Sequence, residues 1–429
     1  MNMDCKIEAL KEFLDNAHSV YHAVEQLTKQ LQEAGFSHLS ETEDWVLKPG
    51  GKYYLTRGGS GLVAFRIPQR ISGGFMITAS HADHPTFKIK ENGELTGKYT
   101  RLSTEKYGGM LIAPWLDRPL SVAGRVLVET PEGIVSKLID IDRDLLLIPN
   151  VAIHMNRKAN EGYAWNPAVD TLPLVGSKKA EGKLWECLEK EAGGKILGHD
   201  LYLYIREKAR VWGIEEEYLS AAALDDLECV WCCTRGFLEA EEREAIPVLC
   251  VFDSEEVGSS SVQGAASTLL ADVLERICDG QQCNYKQMLR KSFLVSADNA
   301  HGLHPNHPEY ADQEHAPLLG EGVVLKFNAN QRYTTDGYAA AVFRKICQKA
   351  TVPVQTYYNR ADMAGGSTLG NISLGQVSVP TADIGLAQLA MHSCYETAAV
   401  ADALYLQQAI QVFYESRITG DLEKGTVAL

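Results

Sequence analysis

Five short segments place carboxylates or imidazoles where a strand-like run ends, and their residue types together suit a metal site. Ser80-His81-Ala82-Asp83-His84-Pro85 directly follows the run Phe75 to Ala79. A His-x-Asp there offers one imidazole to a metal, while the carboxylate two residues on fixes the ring through its second nitrogen. Leu224-Asp225-Asp226-Leu227 brings two adjacent acids. Phe252-Asp253-Ser254-Glu255-Glu256-Val257-Gly258 follows the apolar run 247–252. Adjacent side chains of extended chain point to opposite faces, so Glu255 and Glu256 share a site only where the strand breaks into a turn, and Gly258 supplies such a break. Val295-Ser296-Ala297-Asp298-Asn299-Ala300-His301 ends another run, and Ala390-Met391-His392-Ser393 adds a second imidazole. Two imidazoles with several carboxylates form the N/O donor set of zinc, cobalt or manganese. Any one segment alone reads as ordinary surface or a capping group, because charged residues are mostly exposed. Their common position is what points to one site, since open α/β sheets build theirs at the carboxyl ends of strands.

The elements that must carry these residues show a change of rhythm along the chain. Ser19 is placed to cap a helix whose stripe is Ala23, Val24, Leu27, Leu31 and Ala34, ended by Gly35. Short β-rich segments follow at 52–56, 62–66 and 75–79. From about 92 to 207, glycines, turns and β-rich pieces dominate (125–128, 133–135, 145–149, 201–205), with only a weak helical period at 179–192. After Tyr218 strands and helices alternate: strand 247–252, helix 262–277, strand 293–296, helix 337–350 and strand 352–356. Alternation of that kind implies a mixed, mostly parallel sheet with helices on both faces. The expected architecture is therefore an α/β domain of residues 1–93 and 207–429, interrupted by an inserted β-rich domain over 94–206.

Composition narrows the function classes. The 429 residues carry 41 Lys+Arg against 56 Asp+Glu, a formal net charge of −15. So acidic a surface repels phosphate, which argues against a nucleic-acid partner. No apolar run approaches the ~20 residues that span a bilayer. The opening Met1 to Lys6 lacks the basic and apolar regions of a signal peptide. The expectation is a cytoplasmic protein with no membrane partner. Cys229, Cys232 and Cys233 contain one C-x2-C without a second at matching spacing, so buried, reduced thiols are expected rather than a zinc ribbon.

In order and spacing, these segments resemble the M18 family of metallo-aminopeptidases, the aspartyl aminopeptidase group. The family's His-Thr-Asp-Ser-Pro reads His81-Ala82-Asp83-His84-Pro85 here, and its Leu-Asp-Asn reads Leu224-Asp225-Asp226. Glu-Glu-Val-Gly-Ser is intact at Glu255 to Ser259, as are Ser296-Ala297-Asp298 with His304-Pro305-Asn306, and Ala390 to Ser393. Stretches beginning at Trp115, Ile148 and Asn328 match as well, so the resemblance covers nearly the whole chain. It implies two divalent metal ions per subunit, zinc first with cobalt or manganese as alternatives. His81, Asp225 and Asp298 would bind one, and Asp225, Glu256 and His392 the other. It implies Glu255 as general base, Asp83 orienting His81, and His154 reaching a neighbouring subunit's active site. It also implies that Lys326 pairs with an acidic side chain at the substrate's N-terminus. Short peptides are the implied substrates, and the inserted domain is implied to join dimers that assemble into a tetrahedral dodecamer.

Two departures sit beside ligands: His84 replaces a family serine and Asp226 a family asparagine. Neither removes a ligand or the base. His84 reads either as an extra metal contact or as a supporting or exposed residue. Two other readings stay open, an aminopeptidase with neutral or basic preference and a catalytically silent peptide-binding or assembly member.

Overall fold

The computed structural model describes residues 3–421 and 426–428. Its centre is a nine-stranded sheet in the order Ser37–His38, Lys52–Arg57, Gly61–Arg66, Ile246–Phe252, Phe75–His81, Phe293–Ala297, Thr381–Gly385, Val323–Phe327, Val354–Tyr358. Five of its eight pairings are parallel and three antiparallel. The four strands from Ile246–Phe252 to Thr381–Gly385 run side by side in one direction, and every residue in them is buried. That burial on both faces explains their near-continuous apolar sequences.

Helices cover both faces, as expected. One core joins the sheet to Val20–Glu33, Leu224–Glu239, Gly337–Ala350 and Val400–Tyr414. The other joins it to Leu269–Gly280, Tyr285–Arg290 and Leu369–Ser373. Ser19 caps the helix that begins at Val20, its side chain accepting from the His22 N–H. The helix expected over 262–277 starts only at Leu269. Before it, the chain turns back on itself, with the Ala266 N–H donating to the Ser259 carbonyl at 3.2 Å. The helices Leu224–Glu239 and Val400–Tyr414 pack on each other beneath the sheet and carry no simple apolar stripe to announce them. Cys229, Cys232 and Cys233 lie buried in the first of these as free thiols.

A second, six-stranded antiparallel sheet has the order Gly133–Asp140, Leu120–Thr130, Ile196–Ile205, Thr86–Leu95, Tyr99–Tyr107, Leu174–Ser177. Its own core includes Phe87, Val122, Leu184, Leu188 and Leu203, with the helix Lys183–Ala192 lying on it. Sheet membership begins at Thr86 rather than at 94, because Thr86–Leu95 pairs along Tyr99–Tyr107 and touches Ile196–Ile205.

Two acids of this sheet, Asp200 and Asp140, meet the rest of the molecule through Tyr21 and His18, with further partners from their own sheet. Asp200 takes Lys88 at 2.8 Å, Arg125 at 2.7 Å and the Tyr21 hydroxyl at 3.2 Å. Asp140 takes the His18 ring at 2.8 Å and the Tyr204 hydroxyl at 2.7 Å. Among the described residues no helix is long and apolar enough to cross a membrane.

Candidate metal centre

The register of the central strands brings the five segments to one end of the large sheet. His81 ends its strand directly beside Phe252, so Asp253 to Glu256 continue past it. Ala297 ends beside Ile384, which puts Asp298 level with the chain that runs on to His392. The turn at Ser254, in the left-handed region at φ 64°, breaks the strand and swings Glu255 and Glu256 into the same space. Asp225 arrives differently. It follows the short strand Tyr218–Ala221 and a left-handed Ala223 at φ 55°, and its peptide bond to Asp226 is cis.

Three groups of potential ligands result: two triads share Asp225, namely His81, Asp225 and Asp298, and Asp225, Glu256 and His392, while the third joins His81, Glu255 and Glu256. Within each, one potential ligand atom per residue lies within 4.8 Å of the others. His81 Nε2 is 3.6 Å from Asp225 Oδ1, while His392 Nε2 is 3.5 Å from Asp225 Oδ2 and 3.4 Å from Glu256 Oε2. These distances exceed ordinary N–H···O hydrogen bonds of ~2.7–3.2 Å. They match the roughly 3.4 Å that separates two ligands each about 2.0–2.1 Å from one tetrahedral ion.

Electrostatics give the same answer. Asp225 Oδ1 and Glu256 Oε1 are buried with no hydrogen-bond partner. Burial pushes Glu255 up to about 8, helped by the charges of Asp298, Asp225 and Asp83. Burial, with Asp225, lifts Glu256 well above the carboxylate range. Burial likewise raises Asp298 to about 6, against the pull of Lys326. Asp225 is held low, because His392 and His81 outweigh its burial. Among the described residues the single Lys or Arg paired with any of these acids is Lys326, 3.8 Å from Asp298 Oδ2. Buried carboxylates this crowded are costly unless cations join them. The donor set and the orphaned oxygens therefore fit a pair of divalent ions.

The supports are as specific as the candidate ligands. Asp83 is buried and accepts the backbone N–H of Glu255 at 3.0 Å and of Glu256 at 3.2 Å, with the Tyr107 hydroxyl at 2.8 Å. His81 Nδ1 lies 3.0 Å from the Asp83 carbonyl, which leaves Nε2 to face the centre. Glu396 accepts the N–H of Asp225 and of His392. Asn299 donates to the Leu224 carbonyl at 3.1 Å. Tyr107 and Glu396 lie outside the five segments, and Asn299 lies inside one of them with no role its type alone would announce. Glu396 carries one local signal, a charged residue opening a short strand of otherwise small, uncharged residues, Glu396–Ala399.

The remaining candidates sit elsewhere. Lys326 is buried, donating to the carbonyls of Asp298 at 2.7 Å and Asn299 at 3.2 Å. His154 is exposed on the long loop between Gly133–Asp140 and Leu174–Ser177, outside both triads. His84 joins neither triad; its ring borders a cavity of about 130 Å³ with His18, Asp140 and Tyr204. Asp226 is fully buried, one oxygen accepting the His81 N–H at 3.2 Å. Burial, with the charges of Asp298 and Asp225, pushes its carboxyl well above the ordinary range.

Residues 13–414 match the family described as "Aminopeptidase I zinc metalloprotease (M18)". A "Probable M18 family aminopeptidase 2" of Clostridium novyi is 42% identical, covering 96% of this chain and 100% of that one. Among solved structures, Ape4 in its cryo-EM complex with Nbr1 is 35% identical with a TM-score of 0.93, over 96% of this chain and 86% of that one. The mApe1 dodecamer of S. cerevisiae is 26% identical with a TM-score of 0.85, over 96% and 97% of the two chains. The chain belongs to the M18 family of zinc metallo-aminopeptidases.

Proposed function

We propose that this M18 aminopeptidase is a two-metal enzyme that removes the N-terminal residue from short peptides, with Asp or Glu preferred there. The observation that carries the reading is the pair of triads sharing Asp225, with Glu255 beside them. His81, Asp225 and Asp298 would hold one divalent ion and Asp225, Glu256 and His392 the other, with zinc the first candidate and cobalt or manganese compatible with the same donors. When bound, such a pair supplies Lewis acidity that activates water and polarises the scissile carbonyl.

The chain's own residues do the rest. Glu255 takes a proton from the attacking water and passes it to the leaving amine as the peptide C–N bond breaks. Asp83 positions Glu255 through its backbone N–H and orients His81 through the loop they share.

The acidic preference rests on Lys326, the cation buried beside Asp298. A neutral preference is the second reading, favoured by the two carbonyls that already occupy the Lys326 ammonium. His154 is proposed to serve a neighbouring subunit's site in a dodecamer built from dimers. Its exposed neighbours Val151, Ile153 and Met155 are the kind of side chains an interface covers. The similarity to the S. cerevisiae dodecamer supports the same assembly.

The test measures bound metal and the hydrolysis of aspartyl- and leucyl-arylamides, before and after chelation. Turnover that stops on chelation and returns with zinc is expected. Two bound metals without turnover would exclude the enzyme reading. The variant Lys326→Ala is expected to lower kcat/KM for the aspartyl substrate selectively; an equal effect on both substrates supports the neutral reading instead.

A further inference from the structure

Glu396 lies outside the ligand set, yet one carboxylate there touches the backbones of two ligand residues. Its Oε2 accepts the Asp225 N–H at 3.0 Å and its Oε1 the His392 N–H at 2.6 Å. The residue is 1% exposed, so water does not compete for either bond. Its own backbone is held in register, with Glu396 opposite Ala221 in the antiparallel pair that joins Tyr218–Ala221 to Glu396–Ala399. The clamp is therefore anchored in a ladder, while what it grips are the start of a helix and a loop.

The two gripped residues are not equally supported. Asp225 opens a long helix, the preceding Leu224 carbonyl is tied by Asn299, and Asp226 accepts the His81 N–H. His392 sits in a loop in the left-handed region at φ 66°, with Ala390 there too at φ 57°. Non-glycine residues occupy that region only where surrounding contacts hold them. Besides Glu396, the His392 residue itself is held by its carbonyl, which accepts the Leu111 N–H at 3.0 Å, and by a contact of its ring with the Gly109 backbone, while the Ser393 N–H closes a turn onto the Ala390 carbonyl at 2.9 Å.

We propose that Glu396 is a positioning residue that sets the span between Asp225 and His392, and through it the affinity of the second metal position alone. The proposal rests on the two-metal reading above. An amide in place of the carboxylate presents N–H to one of the two N–H groups, so one grip is lost, and the less supported His392 is the one that moves.

Zinc alone is the probe, titrated into metal-free full-length protein against a competing chelator dye. Wild type is expected to bind two equivalents; fewer would fail the two-metal reading and leave a result distinct from any Glu396 effect. In Glu396→Gln one equivalent should weaken roughly 10–100-fold, the usual consequence of losing a ligand's support, while the other is unchanged. Glu396→Asp, charged but one methylene too short to reach both N–H groups, should behave the same. His392→Ala should lose the same equivalent, and combining it with Glu396→Gln should add nothing, because both act on one position. Equal weakening of both equivalents, or of neither, would overturn the proposal. So would full additivity with His392→Ala, or failure of both Glu396 variants to give folded protein, which would make Glu396 a folding residue instead.

Discussion

Two groups of part-buried or buried carboxylates sit within one fold and are treated in opposite ways. At the seam between the sheets, Asp200 has Lys88 and Arg125 as partners, and Asp140 has His18. Both stay low: burial works against their charge, but these partners outweigh it. At the end of the large sheet, Lys326 faces Asp298 and His392 faces Glu256, yet burial still raises Glu255, Glu256 and Asp298 above the ordinary carboxylate range. The same residue type is a finished structural joint in one place and an unfinished one in the other. What the second lacks is cationic charge, and its spacing suits ions rather than side chains.

That contrast can be broken in several ways. The largest effect is expected from Glu255→Gln, which should cut kcat by about 10²–10⁴-fold, the range general-base removal spans. Its metal content should stay at the wild-type value, as measured by elemental analysis beside steady-state assays. A variant that lost metal instead would make Glu255 a ligand.

Next comes stability. At a thousandfold excess over Kd, each bound ion adds about 4 kcal/mol to the folded state. Chelation should therefore lower the denaturation midpoint of wild type substantially. An unchanged midpoint would mean the crowded acids are compensated without metal.

Asp200→Asn addresses the other region. It leaves Lys88 and Arg125 without their shared partner, and a cost of ~1–3 kcal/mol is expected. Denaturant unfolding should show that loss while zinc stoichiometry and kcat hold steady; a drop in stoichiometry would mean the seam supports the metal end.

The smallest effect is one of pH. The folded-state pKa values of Asp200 and Asp140 are lowered, so their contribution is present above the ordinary carboxylate range and is lost as pH falls through it. Asp200→Asn should flatten the acid limb of a stability–pH curve, and a parallel curve would contradict the assignment.

The parts of the fold legible in the sequence were those whose pattern is local. Ser19 and the stripe behind it gave the helix Val20–Glu33, and the apolar run 247–252 gave a central strand. Gly337–Ala350 matched its periodic stretch end to end. Leu224–Glu239 and Val400–Tyr414 escaped because burial around much of their circumference erases the stripe that periodicity detects. The strand expected at 352–356 begins at Val354, since Pro353 has no N–H to give a ladder. At the site, His81, Asp225, Glu256, Asp298 and His392 could be picked out because each lies in a short motif. Glu396 and Tyr107 could not, and Asn299 stands beside Asp298 with nothing to mark its part, because these roles exist only across contacts. Glu396 reaches back 171 positions to Asp225, and Tyr107 belongs to the other sheet.

The most direct test of the central claim is the number of divalent ions per chain in wild type and in Asp225→Asn, counted by elemental analysis and located by anomalous diffraction. Two ions near Asp225 in wild type, with both positions weakened in the variant, is the predicted result. A single ion in wild type, or two that remain equally well bound without the Asp225 carboxylate, would contradict it.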